Sequence, residues 1–319
     1  MQQQIISDIN FFIKENISLS DKNWFKTGGS ARYFCEPEDI SQLMFALDFS
    51  QKKNLDIFFL GQGANILISD NGFDGIVIKS NLKFINILEN ALDNYIYLKV
   101  GSGATIDQLI NYCLNNNIVG LEEFSGIPGT VGGAVFINIH YFEHLFSDFI
   151  IEAEIINKDG KIFNVDKSWF NFGYNYSKLQ ENYYLVSVTF KLKKANDLQI
   201  NYAKGRSAEI IRHRNRRYPK ENTCGSFFRN FFEYELNNNK YIYIAYYLDK
   251  LSIKGELSHG GAIVSEKHAN MIVNYNNATS TDIIELAKKM QVLVYNKFKL
   301  LPKTECCLIG FKNYPLLDK

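Results

Sequence analysis

The chain lacks the cysteine pattern of a secreted scaffold: its five cysteines are odd in number and none forms a C-x-x-C pair. That points to a reducing compartment. Cys306 and Cys307 are adjacent, so on an extended segment they face opposite ways, which argues against shared metal ligation. No apolar run approaches the length of a membrane span. The opening MQQQIISDINFFIKEN has no basic region followed by a clean apolar stretch, so no signal peptide is expected. Charge of one sign is missing too: 35 basic and 34 acidic side chains nearly cancel, which removes the long-range field of a dedicated nucleic-acid binder. Proline is scarce, at 5 residues. What remains is a cytoplasmic protein with no membrane, nucleic-acid or metal partner expected.

With 319 residues, 46% of them hydrophobic, the chain can bury a large core and build more than one domain. Two glycine-rich turns stand out. The first, Leu60–Asp70 (LGQGANILISD), closes a strand-like run Ile57–Leu60. Gly61 and Gly63 permit a tight backbone, and consecutive N–H groups in such a turn form an anion nest. The second is Ser125–Val135 (SGIPGTVGGAV). Two such turns suggest a large phosphorylated ligand held from two sides. Neither is a Walker A loop or a strict G-x-G-x-x-G fingerprint.

Around them the pattern is mixed α and β. Pro37 opens a helix with Ile40, Leu43, Met44 and Leu47 on one face. Strands are expected at 57–60, 75–79, 95–100, 149–156, 161–165 and 184–192. Thr105 and Gln108 form a capping box ahead of the stripe Ile106, Leu109, Ile110, Cys113 and Leu114. Asn157–Gly160 signals a hairpin. A basic helix covers 203–217, and a long apolar-faced helix covers 282–295. A polar break near 193–198 marks a boundary. No repeat of fixed period is present.

The glycine turns, with WFKTGG (24–29), FGYNYS (172–177), the arginine-rich helix, CGSFFRN (224–230), GGAIVSEKHANMIVN (260–274) and LPKTE (301–305), resemble UDP-N-acetylenolpyruvoylglucosamine reductases in order along nearly the whole chain. The closer likeness is to the shorter class, without a tyrosine-bearing insertion. The resemblance implies an α+β fold: an FAD-binding PCMH/vanillyl-alcohol-oxidase-type fold in two subdomains (1–80 and 81–195) plus a C-terminal α+β substrate domain (196–319). It implies hydride transfer from NADPH through FAD to the enolpyruvyl group of a UDP-sugar, giving UDP-N-acetylmuramate.

Carried over residue by residue, it makes Leu60, Gly61, Gln62, Gly63, Ala64, Asn65, Ile66, Gly126, Ile127, Pro128, Gly129, Thr130, Gly132 and Gly133 cofactor contacts. Ser226 becomes the proton donor and Glu305 the group that stabilises or protonates the intermediate. Tyr174, Arg216 and Asn230 become substrate contacts. From the residues alone, most arginines of the basic helix read as a solvated face, Ser226 as a turn serine, and Glu305 as a surface or local pairing residue.

Two departures matter. Asn175 stands at the catalytic position where the resemblance implies an arginine, leaving Arg229 or Lys178 to replace the charge, catalysis to run slowly, or the activity to be lost. Bulky Ile139–His144 (IHYFEH) stands where a small, glycine-rich run is expected, with consequences for the flavin pocket; its His140 and His144 read as structural rather than as a zinc pair. The alternatives are therefore a non-catalytic flavin- or nucleotide-sugar-binding protein on the same fold, or a flavin oxidoreductase with another substrate.

Overall fold

The computed structural model describes residues 12–88, 94–236 and 238–318. Residues 1–11, where most of the N-terminal segment read above falls, lie outside it. The chain divides into two compact units, each discontinuous in sequence. One takes the chain up to Lys14, Tyr33–Gln62 and Gly75–Arg214; the other takes Glu15–Arg32, Gly63–Asp74 and the chain from Asn215 onward. The first glycine turn thus passes from one unit to the other between Gln62 and Gly63.

In the first unit, helix α1 (Ile40–Lys52) starts later than proline placement implied. Asp39 is itself the cap, accepting the Gln42 N–H at 2.8 Å, which an acidic side chain does as part of the same preference that favours it near the helix dipole. Strands 56–60 and 75–79 run parallel, with Leu60 opposite Lys79. An antiparallel sheet follows in the order 162–166, 150–157, 183–194, 95–101, 85–88. Its hairpin is set by Asn157, whose Oδ1 accepts the N–H groups of Asp159 and Lys161, while Gly160 takes a φ of 79°.

Helix α2 (Ile106–Asn115) carries the expected reciprocal cap between Thr105 and Gln108, and all five stripe residues are buried. The short α3 (Val131–Phe136) continues the second glycine turn. Helix α4 (Asp197–Arg217) begins six residues before the expected start, because Asn196 and Gln199 exchange side-chain caps at 3.0 Å. Ile200, Ala203, Ser207 and Ile210 form its buried stripe.

The second unit has its own core of Phe227, Phe228, Tyr247, Leu248, Leu286 and Met290 around α5 (Ile244–Asp249) and α6 (Ser280–Phe298). Helix α6 is capped twice. Thr279 and Asp282 form a capping box, and Asp70, at the far end of the first glycine segment, accepts the N–H groups of Ser280 and Thr281 at 2.8 and 3.0 Å. Burial would raise the Asp70 carboxyl, but those bonds and the Thr281 hydroxyl hold it below its ordinary value. The five cysteines are unbridged; Cys35, Cys113, Cys224 and Cys306 are buried. Burial pushes the Cys35 and Cys113 thiols up to about 12 and Cys306 well above its usual range.

Candidate functional site

The first glycine turn leaves its amides unused. The backbone N–H groups of residues 61–65 have no acceptor among the described residues. Its shape is fixed from both ends. A Cβ on Gly61 would lie 2.6 Å from Thr130 Oγ1, and Gln62 Oε1 accepts the Gly129 N–H at 2.8 Å. Gly63 sits at φ 68°, where a Cβ would come within 2.6 Å of Asn23 Cα and the Lys22 carbonyl. Its carbonyl accepts Trp24 N–H at 3.0 Å, and Asn65 O accepts Cys307 N–H at 3.0 Å. Residues 66–68 then pair in parallel with 307–309. A run of unclaimed amides on a constrained backbone is a fit for a diphosphate.

The second turn differs. Ile127 N–H is bonded to Phe124 O, Val131 to Ala104 O and Gly132 to Ser102 O. Gly129 is bonded to Gln62, and Gly133 to Thr130 Oγ1 at 3.2 Å. A second amide nest facing the first is therefore not what this turn offers, because protein acceptors have taken most of its N–H groups. What Gly133 supplies is room: it is exposed, and a Cβ there would meet only Thr130 Oγ1, at 3.5 Å. An open, side-chain-free face of this kind accepts a flat ring.

Of the basic helix, Arg214 reaches this turn. Its Nε donates to Gly126 O at 3.0 Å, and its guanidinium lies 5.9 Å from the centre of the Tyr141 ring. Arg206 is bound to Glu123 through two 2.8 Å bonds, and Arg216 is exposed. Sequence reasoning passed over Arg214, although the series Arg206, Ile210, Arg214 lies on one i,i+4 row with buried Ile210 in the middle.

Residues 173–176 form a tight turn closed by reciprocal backbone bonds between Gly173 and Tyr176, at 3.0 and 3.3 Å. Asn175 occupies its left-handed position, φ 54°, which asparagine tolerates better than most residues. Tyr174 is exposed, and its ring centre is 5.3 Å from that of His140. Burial lowers the His140 pKa below its ordinary value. The bulky segment 139–144 folds into a hairpin with His144 opposite Tyr141, turning at Phe142, φ 51°. Ile139 and Tyr141 are buried while Phe142 stays outside. Lys178 lies over the Trp169 ring, 5.1 Å from its centre.

In the second unit, the segment 226–229 runs between two others. On one side Ser226 bridges Met271, Phe227 N–H donates to Asn270 O at 2.8 Å, and the Asn270 side chain holds both Phe228 N–H and Phe228 O. On the other, Glu305 N–H donates to Phe227 O at 2.9 Å and Arg229 N–H to Lys303 O at 2.9 Å. Ser226 and Glu305, 79 positions apart in sequence, thus sit on neighbouring segments, both half-buried. Asn270 is the residue sequence reasoning missed here. Its signal was a polar side chain inside an apolar run.

Arg229 is engaged with Glu235 in a bidentate pair at 2.8 Å. Burial raises the Glu235 carboxyl, but the bonds from Arg229 and Phe232 N–H outweigh it and keep the carboxylate ionised. Asn230 Oδ1 accepts the Ile244 N–H that opens α5. His268, whose Nδ1 accepts Asn270 N–H, is lowered to about 4 by burial and then by Arg217. Among the described residues no group of three or more His, Cys, Asp and Glu side chains is placed to hold a metal, and no helix is long and apolar enough to cross a membrane.

Residues 31–166 match the FAD binding domain family, and residues 217–309 match the C-terminal domain of UDP-N-acetylenolpyruvoylglucosamine reductase. Over the full length the chain is similar to UDP-N-acetylenolpyruvoylglucosamine reductases of Clostridium botulinum, 32% identical over 98% of this chain and 96% of that one, and of Pelagibacter ubique, 33% identical over 95% of each. The crystal structure of UDP-N-acetylenolpyruvylglucosamine reductase from Thermus caldophilus superposes with a TM-score of 0.77 at 25% identity, covering 94% of this chain and all of that one. The expected α+β architecture, an FAD-binding part followed by a C-terminal domain, is therefore the architecture of this protein. By identity and coverage together, the chain belongs to the UDP-N-acetylenolpyruvoylglucosamine reductase family.

Proposed function

We propose that the protein is a cytoplasmic FAD-dependent reductase that converts the enolpyruvyl ether of UDP-N-acetylglucosamine to UDP-N-acetylmuramate, with NADPH as hydride source. One observation carries this reading: Ser226 and Glu305 lie on adjacent segments joined through Phe227 O. Bound FAD supplies the hydride chemistry that no side chain performs. Residues 60–66 and 126–133 hold it, the former by backbone N–H groups and the latter by an open glycine face. In this reading 1–80 and 81–195 are the two flavin subdomains and 196–319 the substrate domain.

Hydride addition at one carbon of an enol ether requires a proton at the other, and the Ser226 hydroxyl delivers it. Gly225 before it, at φ 81°, leaves its approach open, since a Cβ there would meet nothing within 4 Å. Glu305, from the neighbouring segment, in its protonated form donates a hydrogen bond to the negative charge that develops. Tyr174, Arg216 and Asn230 contact the UDP-sugar. Asn175 contributes a neutral amide. Without a guanidinium at that position, turnover is expected to be slower by roughly 10²-fold, the cost of about 3 kcal/mol of lost electrostatic stabilisation.

The test follows the visible flavin absorption under anaerobic conditions. NADPH should bleach it, and the enolpyruvyl UDP-sugar should restore it; bleaching that the substrate cannot reverse overturns the assignment. Ser226→Ala should leave bleaching intact and slow the restoration by ~10²–10⁴-fold. Equal damage to both steps would make Ser226 a structural residue.

A further inference from the structure

The extended segment that carries Ser226 is gripped on one side by backbone and on the other by a side chain. Phe227 O and Arg229 N–H face the 303–306 segment, where they meet Glu305 N–H and Lys303 O, both at 2.9 Å. Phe228 lies between them, opposite Thr304, and so turns its own N–H and carbonyl the other way. It is fully buried, and both groups need partners. Asn270 supplies them: its Oδ1 accepts Phe228 N–H at 3.0 Å and its Nδ2 donates to Phe228 O at 2.7 Å. One atom must accept and the other donate, so this amide has a single orientation and pairs with Phe228 as a neighbouring strand would. Asn270 is itself fixed. It is 2% exposed, its N–H donates to His268 Nδ1 at 3.3 Å, and its carbonyl accepts Phe227 N–H at 2.8 Å.

On the other side of Ser226 the chain is unconstrained by packing. Gly225 sits at φ 81°, and a Cβ there would meet nothing within 4 Å. The place of the Ser226 hydroxyl is therefore left to residues 227–229 and to the bridge with Met271. Glu305 shares the same frame, since Glu305 and Cys306 N–H both donate to Phe227 O, at 2.9 and 3.3 Å. Resting on the reductase reading above, we propose that Asn270 is a positioning residue for proton delivery. Its side chain fixes the Phe228 peptide, and through it the alignment of Ser226 and Glu305. Reduction of the flavin by NADPH uses neither group, so the effect of Asn270 is confined to the second half-reaction. Asn274, further along the chain, offers an internal contrast. It is 6% exposed and equally engaged, with Nδ2 donating to Phe25 O at 2.8 Å and Oδ1 accepting Ala278 N–H at 2.7 Å, but it holds no part of 225–230 or 303–306.

The experiment compares FAD-loaded Asn270→Ala and Asn274→Ala with native protein under anaerobic conditions. In Asn270→Ala, bleaching by NADPH should stay within about 2-fold of native. Restoration by the enolpyruvyl UDP-sugar should reach a limiting rate ~10²-fold lower, the cost of a misplaced reacting group, at an unchanged half-saturating substrate concentration. Asn274→Ala should lower the urea midpoint and leave both rates within about 2-fold. Asn270→Asp keeps the shape and the acceptor for Phe228 N–H but, as a carboxylate, lacks the donor to Phe228 O. It should slow restoration with the same selectivity, and it carries the test if Asn270→Ala does not fold. Restoration at the native rate in the Asn270 variants overturns the proposal, as do equal losses in the two steps or a selective loss in Asn274→Ala. Native flavin that the substrate cannot restore would instead remove the underlying reductase reading.

Discussion

The two glycine turns are alike in composition and opposite in how they spend their backbone. In the first, five successive amides remain unclaimed among the described residues. In the second, most are tied to Phe124, Gln62, Ala104, Ser102 and Thr130. Glycine serves a different purpose in each. Gly63 is required by φ and by the proximity of Asn23, so that the amides keep their direction. Gly133 lies in an ordinary helical stretch with free space outside, so that nothing covers the face a ring would use. A glycine-rich motif therefore names a location, while the hydrogen-bond ledger of its amides tells whether it acts by charge or by shape.

Changing Gly63 should have the largest effect. Gly63→Ala forces the backbone away from Asn23 and redirects the amide run, and FAD affinity should fall about 100-fold, the loss of one or two charge-assisted bonds. Affinity within a few-fold of native would remove the distinction between the turns. Gln62→Leu should act on stability instead. It strands the Gly129 N–H at a cost of about 1–3 kcal/mol, measurable by denaturant unfolding of the cofactor-free protein. A loss of FAD affinity without loss of stability would show that Gln62 serves the ligand and not the second turn.

The smallest effect near neutrality concerns pH. Neither the amide run 61–65 nor the second turn, 125–135, contains an ionisable side chain, so acid sensitivity must arise outside them. His268, with a folded pKa of about 4 against an ordinary 6.5, is one source. Below pH 6.5 the unfolded chain takes up this proton before the folded one, so the contribution is complete above 6.5 and is lost as pH falls toward 4. Urea unfolding between pH 7 and pH 4 should show that slope, and His268→Gln should flatten it. FAD release that follows unfolding, and not a separate titration, would fit contacts made by the amide run 61–65 and the second turn, which carry no ionisable side chain.

Local signals in the sequence were good guides where one residue decides the outcome. The Thr105–Gln108 box, the Asn157–Gly160 hairpin and the motif order each led to the observed element. The start of α4 was missed because its cap, Asn196, stands in a polar stretch that reads as a break. Most of what escaped was long-range pairing. Nothing near Ser226 indicates that Asn270 will hold Phe228, and nothing near Glu305 indicates that its amide will meet Phe227 O. Nor does the first turn show that its Gln62 side chain will satisfy an amide 67 residues away. Asn175 is a mixed case: the substitution was visible, but its left-handed backbone and its bond to Gln180 come only with the fold.

The buried cysteines have a practical consequence. A thiol with its pKa near 12 and no access to solvent does not react with an alkylating reagent while the chain stays closed. Cys35 and Cys113 lie in one unit, Cys224 and Cys306 in the other. Each unit thus carries built-in clocks: the rate at which its own thiols become labelled measures how often that unit opens, and the two rates can be read from one sample by mass spectrometry.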